Sequence, residues 1–505
     1  TTAATIKNLD LVNVDIEVTD LAISGSIACH LYGSLDNCQA SGAINLNNTT
    51  HAPEKPGDSY NEIAHGGLVG IVHNGASVTD CVNNINITIT SLCDASKTIK
   101  SEVGGVVGSA TSASGTVGCT FSGLANNGDI TYASTTQKGS VYISGILGRN
   151  DDTNGQLDIA AFTNCTNNGD LSTTKESVCG GDILLAGGTG RLGMTASTVC
   201  DKFVNTGNMT HNGKCAGVRL AGVVTYNSTC SFTNCSNSGD MTVNTGASAT
   251  AAYLAGISSG EVTTVQIHNC NNTGDLYIGD GVAFNGFVGL SGVLHAIVGG
   301  KDGDVALQAV VTNCTNSGSL YCGNSTNEAT GNGGRLYLGG VFGSINDAAV
   351  SDCVNEATGT MTAKTGDWAS RYMIGAFAYV GMNNGYAETT LTDCENKAAI
   401  LVDPVGAIIG EKGNRINRVL SQLNGEKIDV ILYDKDPVKF IQNALSPAKD
   451  VIVTIKDEKE REAIAIVNDE NSSLAIGKKG QNVKLASRLT KYKIAIKKAG
   501  ELDEE

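Results

Sequence analysis

The sequence predicts a mainly β chain: a long parallel β-helix over residues 1–400, followed by a small α/β region. Three observations predict it. An Asn-Cys-x-Asn motif recurs at a period of 32 to 44 residues, centred on positions 38, 81, 124, 165, 203, 235, 270, 314, 353 and 394, with Leu124 and Phe203 standing where the others have Cys or its looser copies. A glycine-rich element alternates with it, as in Gly66-Gly67-Leu68-Val69-Gly70, Gly104-Gly105-Val106-Val107-Gly108 and Gly339-Gly340-Val341-Phe342-Gly343. At about residue 400 the chain changes character: all 16 cysteines, all seven histidines and 56 of the 63 glycines lie before that point, and two Gly-x-x-Gly loops lie after it, Gly410-Glu411-Lys412-Gly413 and Gly477-Lys478-Lys479-Gly480.

A period in this range means a solenoid, propeller or array, and the composition chooses among them. The apolar pieces are short and interleaved with small or polar residues, as in Tyr142-Ile143-Ser144-Gly145-Ile146-Leu147, which is nearer to strand than to helix periodicity. Stacked coils suit such a chain. An asparagine at one position of every coil can hydrogen-bond to its copies above and below, glycine permits left-handed corners, and small residues with Cys fill a narrow interior. Over nearly all of residues 1–400 the paired motifs resemble the GLUG-type repeats of bacterial surface proteins and adhesins, a resemblance that implies the coil architecture and leaves any surface ligand unnamed.

Charge is unevenly held. Residues 1–400 carry 16 Lys/Arg against 33 Asp/Glu, and residues 401–505 carry 18 against 17, so the first part repels polyanions while the second offers a lysine cluster at 478–498. No apolar run approaches the roughly 20 residues needed to span a bilayer. The chain opens in mid-pattern at Thr1-Thr2-Ala3 without a basic n-region, which reads as a fragment or a processed form.

The recurring cysteines Cys38, Cys81, Cys165, Cys235, Cys270, Cys314, Cys353 and Cys394 form one ladder. No Cys-x-x-Cys or Cys/His zinc spacing accompanies them, so no metal and no cofactor is expected; a column of buried free thiols is favoured over disulfides, although off-ladder cysteines such as Cys179, Cys200, Cys215, Cys230 and Cys322 could pair. Two enzyme-like strings are discounted. Gly256-Ile257-Ser258-Ser259-Gly260 and Gly188-Thr189-Gly190-Arg191-Leu192-Gly193 lack the strand-to-helix context that a nucleophile elbow or a dinucleotide fingerprint requires. The histidines are scattered without a nucleophile-base spacing, and no enzyme is expected.

After the seam the periodicity changes. Asp436 caps a helix that begins at Pro437, Val451–Ile455 and Ala463–Val467 read as strands around a charged turn, and a helix, the loop 477–480, a helix from Gln481 to Leu489 and a strand from Tyr492 to Ile496 follow. That order is the prokaryotic type of KH domain. In its loop, two glycines let the backbone approach a sugar-phosphate chain, a helix N-terminus offers free N–H groups, and lysines supply charge. The segments 403–407, 425–430, 443–448 and 474–487 resemble the tandem KH module of NusA-type transcription elongation and termination factors. The resemblance implies single-stranded RNA as a partner through 403–498, with Gly410, Lys412, Gly413 and Gly477, Lys478, Lys479, Gly480 as clamp residues, Arg415, Lys484 and Arg488 within reach of phosphates, and an RNA polymerase complex as a further partner.

The expected domains are a repeat array at 1–400, a truncated KH unit at 401–434, a complete one at 435–498 and an acidic tail at 499–505. Ala398-Ala399-Ile400-Leu401-Val402 would serve both as the last array strand and as the opening KH strand. Two functions stand side by side: a non-catalytic RNA-binding protein on a repeat scaffold, cytoplasmic, or a cell-surface adhesin-like repeat protein in which the KH segment is an appendage or an accidental or artificial fusion.

Overall fold

Residues that turn sharply at fixed intervals set the architecture. In the computed structural model, the described residues are 4–19, 22–49, 63–93, 98–111, 118–150, 159–191, 199–226, 230–244, 246–263, 266–284, 286–302, 305–323, 334–356, 358–363, 369–380, 389–402, 416–417, 420, 428–449 and 451–498. They divide into two compact units, Thr1–Val402 and Asp403–Glu505. Among the described residues no helix is long and apolar enough to cross a membrane.

The first unit is mostly short strands paired in parallel with their counterparts one repeat further on, with one antiparallel hairpin, Gly300–Asp302 with Val305–Leu307. One repeat runs through the strands Ser231–Thr233, Ser236–Asn237, Met241–Val243, Ala251–Ala255 and Ser258–Thr263. Phe232 pairs with Cys200 behind and Ile267 ahead, Asn237 with Asn205 and Asn272, and Leu254 with Leu220 and Leu290. Repetition produces an eleven-stranded sheet from Thr5–Lys7 to Thr390–Thr392 and a ten-stranded one from Ile23–Ser24 to Ala369–Gly375. In the early repeats a single long strand, Val82–Ser91, pairs with both Ala125–Asn126 and Ile130–Tyr132 of the next, so a corner has been inserted into one strand without loss of register.

The two asparagines of the repeated motif do different work. The first sits at a left-handed corner: Asn37, Asn164, Asn234, Asn269 and Asn313 have φ between 50° and 55°, and Asp80, Asp352 and Asp393 take the same conformation in the looser copies. Asn and Asp tolerate that region better than other residues with a Cβ. The second asparagine points inward and is almost fully buried. Its Nδ2 donates to the Oδ1 of the next copy from Asn83 through Asn126, Asn167, Asn205, Asn237, Asn272, Asn316 and Asn355 to Asn396, at 2.7 to 3.0 Å. The other amide hydrogen serves the carbonyl two residues on, as from Asn167 to Gly169 at 2.9 Å.

The glycine-rich motif exists to make room for this ladder. A Cβ on Gly145 would lie 2.1 Å from Oδ1 of Asn167, and one on Gly67, Gly105, Gly187, Gly222, Gly256, Gly292 or Gly340 would meet both a carbonyl of the next repeat at 2.0 to 2.4 Å and its own asparagine at 2.3 to 2.7 Å. The aspartate that closes the motif accepts from the next repeat's backbone: Asp170 N–H to Asp129 Oδ1 at 2.8 Å, and Asp275 N–H to Asp240 Oδ1 at 2.8 Å.

The cysteine ladder is a column in register. Cys38, Cys81, Cys165, Cys235, Cys270, Cys314 and Cys353 are buried free thiols and Cys394 is a half-buried one. Phe203 enters the column by an exchange of volume within its repeat: Cys200-x-x-Phe203 inverts the order of Phe162-x-x-Cys165 and Phe232-x-x-Cys235, so the summed core volume is kept. The ring of Phe203 stacks on Phe162 at 5.7 Å, and Cys200, displaced inward, comes within 3.8 Å of Cys235 sulfur to sulfur. The off-ladder cysteines Cys179, Cys200, Cys215, Cys230 and Cys322 are likewise free thiols.

Removing one rung orphans two amides. Asn237→Ala leaves Asn205 without its acceptor and Asn272 without its donor, and each buried orphan costs ~1–3 kcal/mol, so a fall of about 2–4 kcal/mol is expected in the urea unfolding of the full chain. Gly145→Ala is expected to cost ~1–3 kcal/mol by overpacking, and Asn269→Ala at the exposed corner ~1–2 kcal/mol. Burial pushes the thiols of Cys81, Cys165 and Cys322 up to about 12. Since the folded state holds them protonated, the stability this confers is present below the ordinary thiol value of 9.0 and declines as pH rises through about 12. At pH 8 a thiol reagent should modify exposed Cys29 promptly and the seven buried ladder thiols, Cys38 to Cys353, only on unfolding, as mass spectrometry of the labelled peptides will record.

Candidate nucleic-acid interface

The second unit builds its site on three helices and a sheet. Helix α1 (Pro437–Ala444) starts where Asp436 Oδ1 accepts from the Val438 N–H at 2.9 Å, and Pro437 supplies a fixed φ at the first position. It buries Ile441 and Ala444 in a core with Leu445, Val453, Ala465, Val467, Ala475 and Ala486. Strands Ile452–Asp457 and Glu462–Val467 pair antiparallel, and Lys493–Lys498 adds in parallel on the other side of Glu462–Val467. Helix α2 (Asp469–Ile476) is capped by Asn468, which accepts from the Asn471 N–H at 2.9 Å.

The chain then turns through the loop. Gly477 has φ 72° and ψ 171°, a region only glycine occupies readily, and a Cβ there would also meet Asn482 at 2.8 Å. Lys479 and Gly480 both take left-handed φ, 57° and 72°, which delivers the chain into α3 (Gln481–Thr490) with no side-chain cap on its first N–H groups. Those groups and the positive end of the helix face the loop, the arrangement that receives a phosphate.

Lys478, Lys479, Lys484 and Arg488 are all exposed and, among the described residues, make no ion pair. Lys484 and Arg488 lie one turn apart on α3, and the Lys484 side chain folds back to within 3.8 Å of where a Gly480 Cβ would be. Other lysines of the 478–498 cluster are already engaged: Lys493 pairs with Glu462 at 3.4 Å and Lys498 with Asp469 at 3.1 Å. The structure thus brings Gly477, Lys478, Lys479, Gly480, Lys484 and Arg488 onto one loop and helix. Gly410, Lys412, Gly413 and Arg415 lie outside the described residues.

Asn482 has a role that the sequence pattern did not assign. Its Nδ2 lies within 3.3 Å of the carbonyls of Leu445, Ser446 and Leu474, tying the end of α1 to the end of α2 directly behind the loop. Its position two residues past Gly480 was the available signal. At the other end of the region, the strand Ala399–Val402 pairs in parallel with Thr360–Ala363, and Asn396 forms the last rung of the asparagine ladder at 2.7 Å from Asn355.

A helix, two strands, a helix, a glycine loop, a helix and a closing strand define a KH-type nucleic-acid module. The model of the NusA-like second KH domain matches residues 437–504, and that of the NusA-like first KH domain matches residues 396–433. The C-terminal region therefore contains two NusA-like KH domains. Transcription termination/antitermination protein NusA of Halalkalibacterium halodurans is 50% identical over 103 residues, which is 20% of this chain and 27% of that protein. Its counterparts from Bacillus subtilis and Mycobacterium bovis are 51% identical over 96 residues and 54% over 92, covering 19% and 18% of this chain and 26% of each relative. The chain spans about a quarter of the length of the curated relatives it matches. The match to the first KH domain begins at 396, so residues 396–402 belong both to that match and to the final repeat of the strand array.

The two loop glycines differ in what they tolerate. Gly477→Ala meets both backbone strain and a clash and is expected to cost ~2–4 kcal/mol, whereas Gly480→Ala faces left-handed strain alone, ~1–2 kcal/mol. Hydrogen exchange of peptides from 437–498 in the full chain measures the difference.

Proposed function

We propose that this chain binds single-stranded RNA through residues 403–498, in a role of the termination or antitermination kind that its relatives' names state, and that residues 1–402 form a non-enzymatic β-solenoid scaffold of the GLUG type. An RNA polymerase complex is the partner that such a role implies. The observation that carries the RNA reading is the set of exposed cations without ion pairs, Lys478, Lys479, Lys484 and Arg488, grouped around a glycine loop and an uncapped helix start. Charge supports the division of labour. The first 400 residues hold 33 acids against 16 bases and repel a polyanion, so attraction for RNA resides in the second unit.

Affinity of the full chain for a short single-stranded RNA, compared with Lys478→Asp/Lys479→Asp between ~50 and ~200 mM salt, tests this reading. The double substitution is expected to weaken binding at least about tenfold at low salt and to flatten the salt dependence by ~0.7 for each phosphate that is no longer neutralised. Equal affinity and equal slope would sink the proposal.

A further inference from the structure

Arginine is scarce in the strand array and is not scattered. Residues 1–400 contain five arginines, Arg149, Arg191, Arg219, Arg335 and Arg371. Arg219 belongs to the strand Gly217–Ala221, and Arg335 and Arg371 stand opposite each other on later strands of the same sheet. Arg149 lies on a strand that follows the glycine-rich turn, and Arg191 lies two residues beyond Thr189, which bridges to Leu147 of that strand. Each guanidinium whose contacts are described lies over an aromatic ring: Arg149 over Tyr142 at 5.0 Å, Arg191 over Tyr226 at 5.6 Å, Arg219 over Tyr253 at 4.3 Å and Tyr226 at 5.8 Å, and Arg335 over Phe287 at 5.4 Å.

These arginines are not equivalent. Arg149 meets a carboxylate, Glu102 at 3.1 Å, and the pair is buried. Arg191 and Arg219 share the ring of Tyr226 and, among the described residues, neither has an ion pair. Among the described residues, Arg219 donates once, to the Ser259 carbonyl at 2.9 Å, and the buried Nε of Arg191 has no partner. A second unpartnered atom lies beside them. His295 leans against Tyr253 at 4.6 Å in the space left by Gly289, and its buried Nδ1 has no partner among the described residues. Burial, and then the charge of Arg219, holds His295 at about 3, so the imidazole is neutral and adds no cation. Asp182 contributes negative charge near Tyr253 but makes no ion pair with either arginine.

Two half-buried guanidiniums sharing one ring, uncompensated in an acidic array, with one N–H and one imidazole nitrogen unpartnered beside them, have the chemistry of a receptor for an oxyanion. We propose that Arg191 and Arg219, framed by Tyr226, Tyr253 and His295, bind a tetrahedral oxyanion, either as the free ion or as an ester on a small molecule. The guanidiniums supply charge and paired donors, Arg191 Nε donates to an anion oxygen, and the tyrosine rings hold both cations in place. This site belongs to the strand array and is separate from the lysines of the KH loop.

Calorimetric titration of the full chain with sodium sulfate, sodium phosphate and glucose 6-sulfate tests it. Saturable binding of sulfate is expected, about tenfold weaker in Arg191→Gln/Arg219→Gln and unchanged in Lys478→Asp/Lys479→Asp. Stronger binding of glucose 6-sulfate than of either inorganic ion would assign the site to an ester, and equal or weaker binding to the free ion. Failure of the wild-type chain to bind any of the three, or sulfate binding that survives the arginine substitutions, would overturn the proposal. If the double variant does not fold, Arg191→Gln alone carries the test and must weaken sulfate binding at least about threefold.

Discussion

One interaction runs through the array from Asn83 to Asn396: a buried column of asparagine amides, each donating to the next at hydrogen-bond distance. A buried amide is costly unless it is satisfied, and here every rung depends on the rungs on either side. The remaining features of the repeat follow from that demand. Glycine must face each rung because a Cβ would collide with it, the corner before each cysteine must turn left-handed to aim the next asparagine inward, and the cysteine itself fills the narrow space beside the ladder. Loop length is left free, which is why the period ranges from 32 to 44 while the motif does not change.

The two units solve opposite electrostatic problems. The array buries polar groups and pairs many of them internally, as in the asparagine ladder and the buried Glu102–Arg149 pair, while Arg191 Nε and His295 Nδ1 stay unpartnered among the described residues. In the KH unit Lys478, Lys479, Lys484 and Arg488 stand exposed around one loop and, among the described residues, without ion pairs, while Lys493 and Lys498 pair with neighbouring acids. Unpaired exposed cations contribute little to folding, so their retention at one loop is understandable as readiness for an anion.

Much of this was legible in the sequence because it is periodic or local. The mainly β, parallel pairing of successive repeats, the cysteine column and the KH element order could all be read from spacing, and the loop residues 477–480 lie where their glycines indicated. Other features were hidden for physical reasons. The two asparagines of Asn-Cys-x-Asn look equivalent in sequence, yet one is a surface corner and the other a buried rung, a distinction that depends on φ. The exchange of Phe203 with Cys200 appears as a defect until both are placed in one core. The arginine and tyrosine grouping joins residues from Tyr142 to His295, and only the pairing register brings them together. Asn482 acts through carbonyls more than thirty residues away, which no local pattern reports.

The match to the first KH domain begins inside the last repeat of the array, so the start of that match and the end of the strand pairing do not coincide. Cleavage after Val402 would leave the KH match without its first seven residues; cleavage before Asn396 would strip the array of its terminal strand and last amide rung. A boundary chosen to keep the whole KH match therefore removes a strand and a rung from the array, and a preparation of the array made that way reports on a damaged edge as well as on the repeats themselves.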